Sequence, residues 1–503
     1  MASVDTSLRS AGWVSLWSFG QLVVQFGFQV VLAKYFGASA DMDAYVAAMA
    51  VPVVASAILV GSLGYAFVPV FTEQWNTGNH EAAWNTANGV LTVLLAVTGT
   101  LATLVFLAAR PLTATLYPGF SSAQSSKAAE LVALLAWLVV TNGLIAYSQA
   151  VHHCHKRFIL PAVAPVVGTS VTLAGAIVFR QHGIIAIAGA VLAGSVVAAA
   201  LQAAFPLGRF RFRLRWDEPA RRCFRLMLPL VFGAAYYRLD PLVDRHLASR
   251  LATGSIAHLG YASRLVTALL LVSTSGLAVV AFPNFSARYS EQGREGLREE
   301  VAHAVRCLCI ILIPIVVALV IYSRPLIRDL FQRGEFSATD TREVAMLLAI
   351  YLGMVAAAGY GEIAAKVFYA LSDTRTPTVI GCAGFTVGVL LKCALVSVAG
   401  VAGIAAATSA YYVLNSVIMG RLLARRLGRG AFAGVAGSAG RALAGSAAAA
   451  IAAFPIVHSQ LPMGALLGGV AGGGVYVAAL LVQRDEIALR LVTYLKSMFH
   501  RRW

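Results

Sequence analysis

Arg238, Asp240, Asp244 and Arg245 sit close together in Tyr236–Arg250 (YYRLDPLVDRHLASR), a stretch otherwise apolar enough for a membrane span. One charge at mid-bilayer costs roughly 2.5–3.5 kcal/mol on insertion-type scales, so four facing lipid would cost on the order of 10 kcal/mol. They must face a water-filled cavity or each other. On a helix Arg238 and Arg245 share one face, while Asp240 and Asp244 share another. Arginines lining a cavity would fork onto phosphate; the two carboxylates would bind a coupling cation such as Na+ or H+, or contact a neighbouring helix. Pro241 predicts a kink between the pairs.

Further polar residues lie in apolar stretches. Arg264 could add to a positive cavity or pair with Asp240 or Asp244. Gln21, Gln25 and Gln29 make an i, i+4, i+8 stripe, suited to cavity lining or helix–helix hydrogen bonds. Glu362 and Lys366 are spaced for an intrahelical pair, and Lys366, Lys392 and Arg441 can snorkel to a headgroup region. His152, His153 and His155 beside Lys156 and Arg157 read as a basic turn at headgroup level rather than a metal cluster. Cys307 and Cys309 have no second ligand pair. No metal site, disulfide or resident cofactor is expected, nor any catalytic residue, and no GxxxxGK[ST] loop points to ATP.

These residues need elements that cross a bilayer. The 503 residues are 59% hydrophobic and 12% charged, against about 25% charged in a soluble domain. Mean hydropathy is +0.76. The apolar runs are near helix length rather than barrel-strand length. The first, about 11–33, is too long for a signal peptide. Fourteen spans are expected, near 11–33, 44–71, 84–108, 129–151, 158–179, 184–206, 223–249, 256–281, 304–323, 343–371, 377–398, 401–420, 431–456 and 461–483. The net charge of +17 fits basic cytoplasmic loops, not nucleic acid. With both termini cytoplasmic, 24 of the 39 lysines and arginines fall inside and 9 outside.

The chain also repeats. AFVPVF (Pro69) resembles AFPNF (Pro283), LYPGFSSA (Phe120) resembles LFQRGEFSA (Phe336), FILPAVAP (Pro161) resembles TRTPTVIG (Pro377), and the run from Gly183 resembles that from Gly400. The offsets are 214, 216, 216 and 217. Six spans per repeat give both halves one orientation, with a site between them. The expected domains are an N-lobe at 1–207, a basic linker at 208–222 that meets anionic lipid, a C-lobe at 223–428, and two Ala/Gly-rich spans with a tail at 429–503.

Several segments resemble the MurJ/MviN family of lipid II flippases, in the multidrug/oligosaccharidyl-lipid/polysaccharide exporter superfamily. They are FGASADMDAY (Phe36–Tyr45), YAFVPVF (Tyr65–Phe71), RFILPAVAP (Arg157–Pro165), the run Leu247–Leu265, LFQRGEFSATDT (Leu330–Thr341) and KVFYALSDTRTPT (Lys366–Thr378). The resemblance implies an all-α, fourteen-span, two-lobed transporter of the bacterial inner membrane, working in peptidoglycan synthesis. It also implies a central cationic cavity, alternating access driven by ions or membrane potential, and a tail groove in the last two spans. By the same resemblance Arg264 is a cavity arginine, Asp43 a functional acid and Asp244 an ion-coupling position. The chain departs from the family pattern at Leu22, Phe28 and at or beside Ser56, where the family carries arginine, and at Ser263, where it carries an acid. Arg238, Arg245, Gln25 and Gln29 are the residues expected to make good the charge, with Asp240 and Asp244 for the ion.

The expected function is therefore flipping of a polyprenyl-pyrophosphate-linked glycan, lipid II first. An exopolysaccharide or O-antigen repeat unit is the alternative substrate. A cation-coupled drug antiporter would want an acidic cavity, and a scaffold for wall or polysaccharide synthesis enzymes would not need Arg264.

Overall fold

The computed structural model describes residues 2–61, 63–208, 210–211, 218–428, 430–459, 461, 463–483 and 489; for 2–11, 229–230, 232–234 and 272–283 it describes the backbone alone. Seven residues of the expected basic linker (209 and 212–217), and the tail beyond 483 except Leu489, lie outside the described residues. Every element among those described is a helix. The chain divides into two compact units, 1–257 with 334–336, and 258–333 with 337–503.

The first unit holds α1 (Ala2–Phe36), α2 (Ala40–Leu59), α3 (Leu63–Asn76), α4 (His80–Leu107), α5 (Ala109–Leu116), α6 (Ser122–Leu135), α7 (Leu138–Cys154), α8 (Ile159–Val178), α9 (Gly183–Leu207), α10 (Glu218–Arg238) and α11 (Asp240–Ala248). Small residues set its closest packing. A Cβ on Gly168 of α8 would lie 2.6 Å from the Gly194 carbonyl of α9 and 2.8 Å from Ala198 Cβ, so van der Waals contact replaces the hydrophobic drive that lipid does not supply. α10 and α11, which carry the charged stretch, pack on α2, with α10 also on α3 and α4. Their junction at Leu239 lies just before Pro241, where a kink was expected.

The second unit holds nearly all of α12 (Ser255–Phe331), with α13 (Ala338–Ala370), α14 (Arg375–Leu427), α15 (Val435–Val457) and α16 (Gly464–Val482). α14 folds back on itself. Gly400 has φ 55° and ψ −131°, and a Cβ on Gly403 would lie 2.3 Å from the Leu395 carbonyl oxygen. In a straight helix those residues would stand about 12 Å apart. Glycine is required there because φ is positive. The Ala/Gly-rich α15 and α16 approach closely, with Gly445 over Tyr476 and Gly468 against Val457. The Tyr476 hydroxyl donates to the Ile310 carbonyl at 2.7 Å and that of Tyr322 to the Ala450 carbonyl, tying α12 to the pair.

Eleven helices among the described residues are long and apolar enough to cross a membrane. The expected count of fourteen differs for visible reasons. The spans 377–398 and 401–420 both lie in the folded α14, 223–249 is broken at Leu239 and heavily charged, and Ser255–Leu271 is a shorter apolar helix.

The repeat has a counterpart in backbone geometry. Gly78 and Gly293 both have positive φ, as do Gly183 and Gly400, and so do the non-glycines Lys156 and Ser372. At the last pair the hydrogen bonds match too. Arg157 N–H donates to His152 O and Lys156 N–H to His153 O; Asp373 N–H donates to Phe368 O and Ser372 N–H to Tyr369 O, all at 2.9 Å. This is the Schellman ending of a helix, made twice. Ser121 with Gln124 and Ser337 with Asp340 each form a capping box, opening α6 and α13.

Candidate functional site

An aromatic core fixes the helices around the polar residues of the first unit. Phe67 and Phe71 of α3, Trp84 of α4 and Tyr147 of α7 are buried together. Around this core His155 lies within ring contact of Phe71, Trp75, Trp84 and Phe205. His152 is 1% exposed and its Nε2–H donates to the Gln202 carbonyl at 3.0 Å. The turn expected at headgroup level is thus partly interior: His153, Lys156 and Arg157 are exposed, but His152 is buried and His155 half-buried. Among the described residues there is no group of three or more His, Cys, Asp or Glu able to hold a metal.

Between α2, α3 and α7 lies a cavity of about 590 Å³, lined by Ser56, Gly61, Gly64, Tyr65, Gln149 and His153 among others. It exists because α2 stops at Leu59 and α3 starts at Leu63, with the bare backbone of Gly61 at the break. The Ser56 hydroxyl accepts from Asn142 Nδ2 at 3.1 Å, which leaves its own proton to donate. Arg238, the exposed last residue of α10, brings Nη2 within 3.7 Å of where a Cβ on Gly61 would stand. The sequence singled out Arg238 but missed this wall; the signal was the run Gly61–Gly64, two glycines that interrupt an apolar helix.

The other expected site residues are placed variously. Asp240 and Arg245 are half-buried and Asp244 is buried on α11. Arg245 Nη1 donates to the Pro241 carbonyl at 3.2 Å. Burial pushes the Tyr117 phenol well above its ordinary pKa, and the positive charge of Arg245 partly opposes the shift. Gln25 is exposed, Gln21 is half-buried and Gln29 is buried; Phe28, 7% exposed, belongs to the core. Asp43, expected at the substrate, is 3% exposed and caps a helix. Its carboxylate accepts from Gly254 N–H at 2.6 Å and from Ala257 N–H at 2.7 Å, at the start of α12. A carboxylate at a helix N-terminus meets both orphan donors and the positive end of the dipole.

In the second unit Arg264 is exposed on α12. Lys366 Nζ meets Glu362 at 3.4 Å, as its spacing predicts. Lys392 does not snorkel: it is 0% exposed, with Nζ 5.7 Å from the Tyr411 ring centroid. Arg441 donates to the Ser438 hydroxyl at 3.3 Å. An apolar cavity of about 260 Å³ is lined by Leu308, Leu312, Val316, Tyr360 and Leu443, among others. In the loop before α14, Asp373 accepts from the Thr376 backbone N–H at 2.9 Å and from its hydroxyl at 2.7 Å, and pairs with Arg426 at 2.7 Å. These contacts, in that order, hold its carboxyl down at about 2.

Comparison with known proteins agrees along most of the chain. The family described as lipid II flippase MurJ matches residues 32–467. A lipid II flippase MurJ of Burkholderia cenocepacia is 27% identical over 413 residues, 78% of each chain. A probable lipid II flippase MurJ of Thermotoga maritima is 25% identical over 415 residues, 82% of this chain and 85% of the relative. Among solved structures, a lipid II flippase MurJ in an inward closed conformation superposes with TM-score 0.80 at 20% identity, covering 94% of this chain and 99% of the other. An inward-facing MATE-family multidrug transporter of the MOP superfamily gives 0.70 at 15% identity, over 82% and 98%. The fold is shared with both, and the family match over residues 32–467 decides between them: this multi-pass membrane chain belongs to the lipid II flippase MurJ family.

Proposed function

We propose that this chain is an alternating-access flippase that carries lipid II, a polyprenyl-pyrophosphate-linked glycan of peptidoglycan synthesis, from the inner to the outer leaflet. The observation that carries the reading is the family match over residues 32–467. The exposed Arg238 at the rim of the first unit's cavity suits an anionic headgroup rather than a cationic drug. In this reading Arg264 also contacts the headgroup, Asp240 and Asp244 hold the coupling cation, and the apolar cavity of the second unit takes part of the polyprenyl tail. The chain sits in the bacterial inner membrane with both termini cytoplasmic, as its basic residues distribute, and meets anionic lipid there.

The second reading is a flippase for an exopolysaccharide or O-antigen repeat unit. It is favoured by Phe28, a packed core residue at a position where the family resemblance implies a cavity arginine. Complementation of a strain depleted of its own lipid II flippase tests the two. Rescue by the wild type, lost with Arg264→Ala, is expected. A failure to rescue, with loss of surface polysaccharide when the gene is deleted from its own host, supports the second reading and overturns the first.

A further inference from the structure

Two cations of the first unit converge on one aromatic ring. Lys34, in the last turn of α1, brings Nζ to 5.3 Å from the centroid of Tyr35. Arg180, just past the end of α8, brings Cζ to 5.6 Å from the same centroid. Both fall within the roughly 6 Å at which a ring face attracts a cation. The two charges thus stand no more than about 11 Å apart, and both side chains are exposed. Among the described residues neither meets a carboxylate: Asp41 is taken by Lys127, and Glu335 reaches Lys34 only through its backbone N–H, which donates to the Lys34 carbonyl at 2.9 Å. Like charges gathered on one ring repel each other until an anion lies between them. The level is that of lipid headgroups, because α1 and α8 end here and α9 begins, each long and apolar enough to span. Ile177, Val178 and Ile185 beside the charges are exposed and apolar, and a tyrosine at this depth is the amphipathic ring of membrane interfaces.

We propose that Lys34, Tyr35 and Arg180 form a binding site for the phosphate of an anionic phospholipid, in the leaflet opposite the N-terminus of α1. The guanidinium forks onto the two free phosphate oxygens and the ammonium approaches the same group as a point charge. The acyl chains lie along Ile177, Val178 and Ile185, a surface that a soluble anion would not use. The site is apart from the cavity between α2, α3 and α7, so it rests on the membrane fold and not on what that cavity carries. It differs from the basic linker too, where attraction to lipid is a matter of summed charge; here two ligands are set on a fixed ring. The backbone of Lys34 also holds the segment 334–336, with Gly334 packed on its carbonyl. An occupied site therefore steadies that junction at the end of α1.

Native mass spectrometry of the full-length protein tests it. The protein is stripped of lipid and titrated with phosphatidylglycerol, with phosphatidylethanolamine and with polyprenyl pyrophosphate. The wild type is expected to hold one phosphatidylglycerol about tenfold or more tighter than phosphatidylethanolamine, the gain from charge-assisted pairs. The double substitution Lys34→Gln, Arg180→Gln removes two exposed side chains and is expected to abolish that preference with the melting temperature unchanged. Arg180→Lys in an otherwise wild-type chain should keep only part of it. Arg110→Gln, which removes another exposed arginine of the same unit, should leave it intact. An equal loss in Arg110→Gln, or a preference that the double substitution leaves unchanged, overturns the site. Phosphatidylethanolamine bound as tightly as phosphatidylglycerol overturns the selection for an anionic lipid. Displacement of phosphatidylglycerol by millimolar inorganic phosphate overturns the lipid assignment, since the ring then gathers charges for a soluble anion. Polyprenyl pyrophosphate bound more tightly than phosphatidylglycerol, and lost in the double substitution, makes the pair a substrate site and overturns the phospholipid reading. None of these outcomes bears on the flippase reading, which the complementation decides.

Discussion

Replacing Asp43 by alanine should destabilise the protein without touching substrate. Its buried carboxylate accepts two backbone hydrogen bonds, from Gly254 at 2.6 Å and Ala257 at 2.7 Å. Hydrogen bonds to a charged group contribute about 1.5–3 kcal/mol each, so Asp43→Ala should cost about 3–6 kcal/mol. The two orphaned N–H groups lie where water reaches poorly, which keeps the loss near that range. Asp43→Asn retains one acceptor oxygen and no charge, and should lose about half. The assay is thermal unfolding of purified protein in detergent, followed by monomer recovery on size exclusion, together with amide exchange. In the alanine variant Gly254 and Ala257 should exchange faster than their neighbours. Unchanged melting and unchanged exchange, with transport abolished, would refute the capping argument and return Asp43 to the substrate.

Two further outcomes follow from the packing and the loops. Gly168→Ala should destabilise by about 1–3 kcal/mol through overpacking against Gly194 and Ala198, whereas Gly189→Ala, with nothing within 4 Å, should be neutral or stabilise by up to about 1 kcal/mol; equal melting shifts for the two would contradict the contact. Asp373 has a carboxyl pKa held below its ordinary value, so its contribution is complete above about 4 and is lost as pH falls through about 2. Asp373→Asn should therefore flatten the fall in melting temperature across that window, and an unaltered acid limb would show that the Thr376 and Arg426 contacts do not matter there.

The membrane class was plain in the sequence because hydropathy needs no tertiary information. So was the Glu362–Lys366 pair, local in sequence. What depends on distant partners was not. The cap made by Asp43 was hidden because its donors lie more than 200 residues away, on backbone that carries no side-chain signature. Lys392 looked free to reach a headgroup, but Gly388 lets the Tyr411 ring close over it once α14 folds at Gly400. His152 and His155 looked like surface cations, and become interior only when Trp75, Trp84 and Phe205 arrive from α3, α4 and α9. Arg238 was legible as a costly charge; the cavity beside it was not, since glycines announce a gap only when neighbours stand around it.

The twin Schellman endings at Lys156 and Ser372 speak to ancestry. An αL conformation costs a non-glycine residue roughly 1–2 kcal/mol, yet the chain holds it at both places with chemically unrelated side chains. Duplication of a half-length gene, followed by free drift of the residues, would leave such a trace, with the place where the backbone turns kept and the letters changed. Glycine at Lys156 or at Ser372 should accordingly keep each turn, since glycine holds a positive φ without strain.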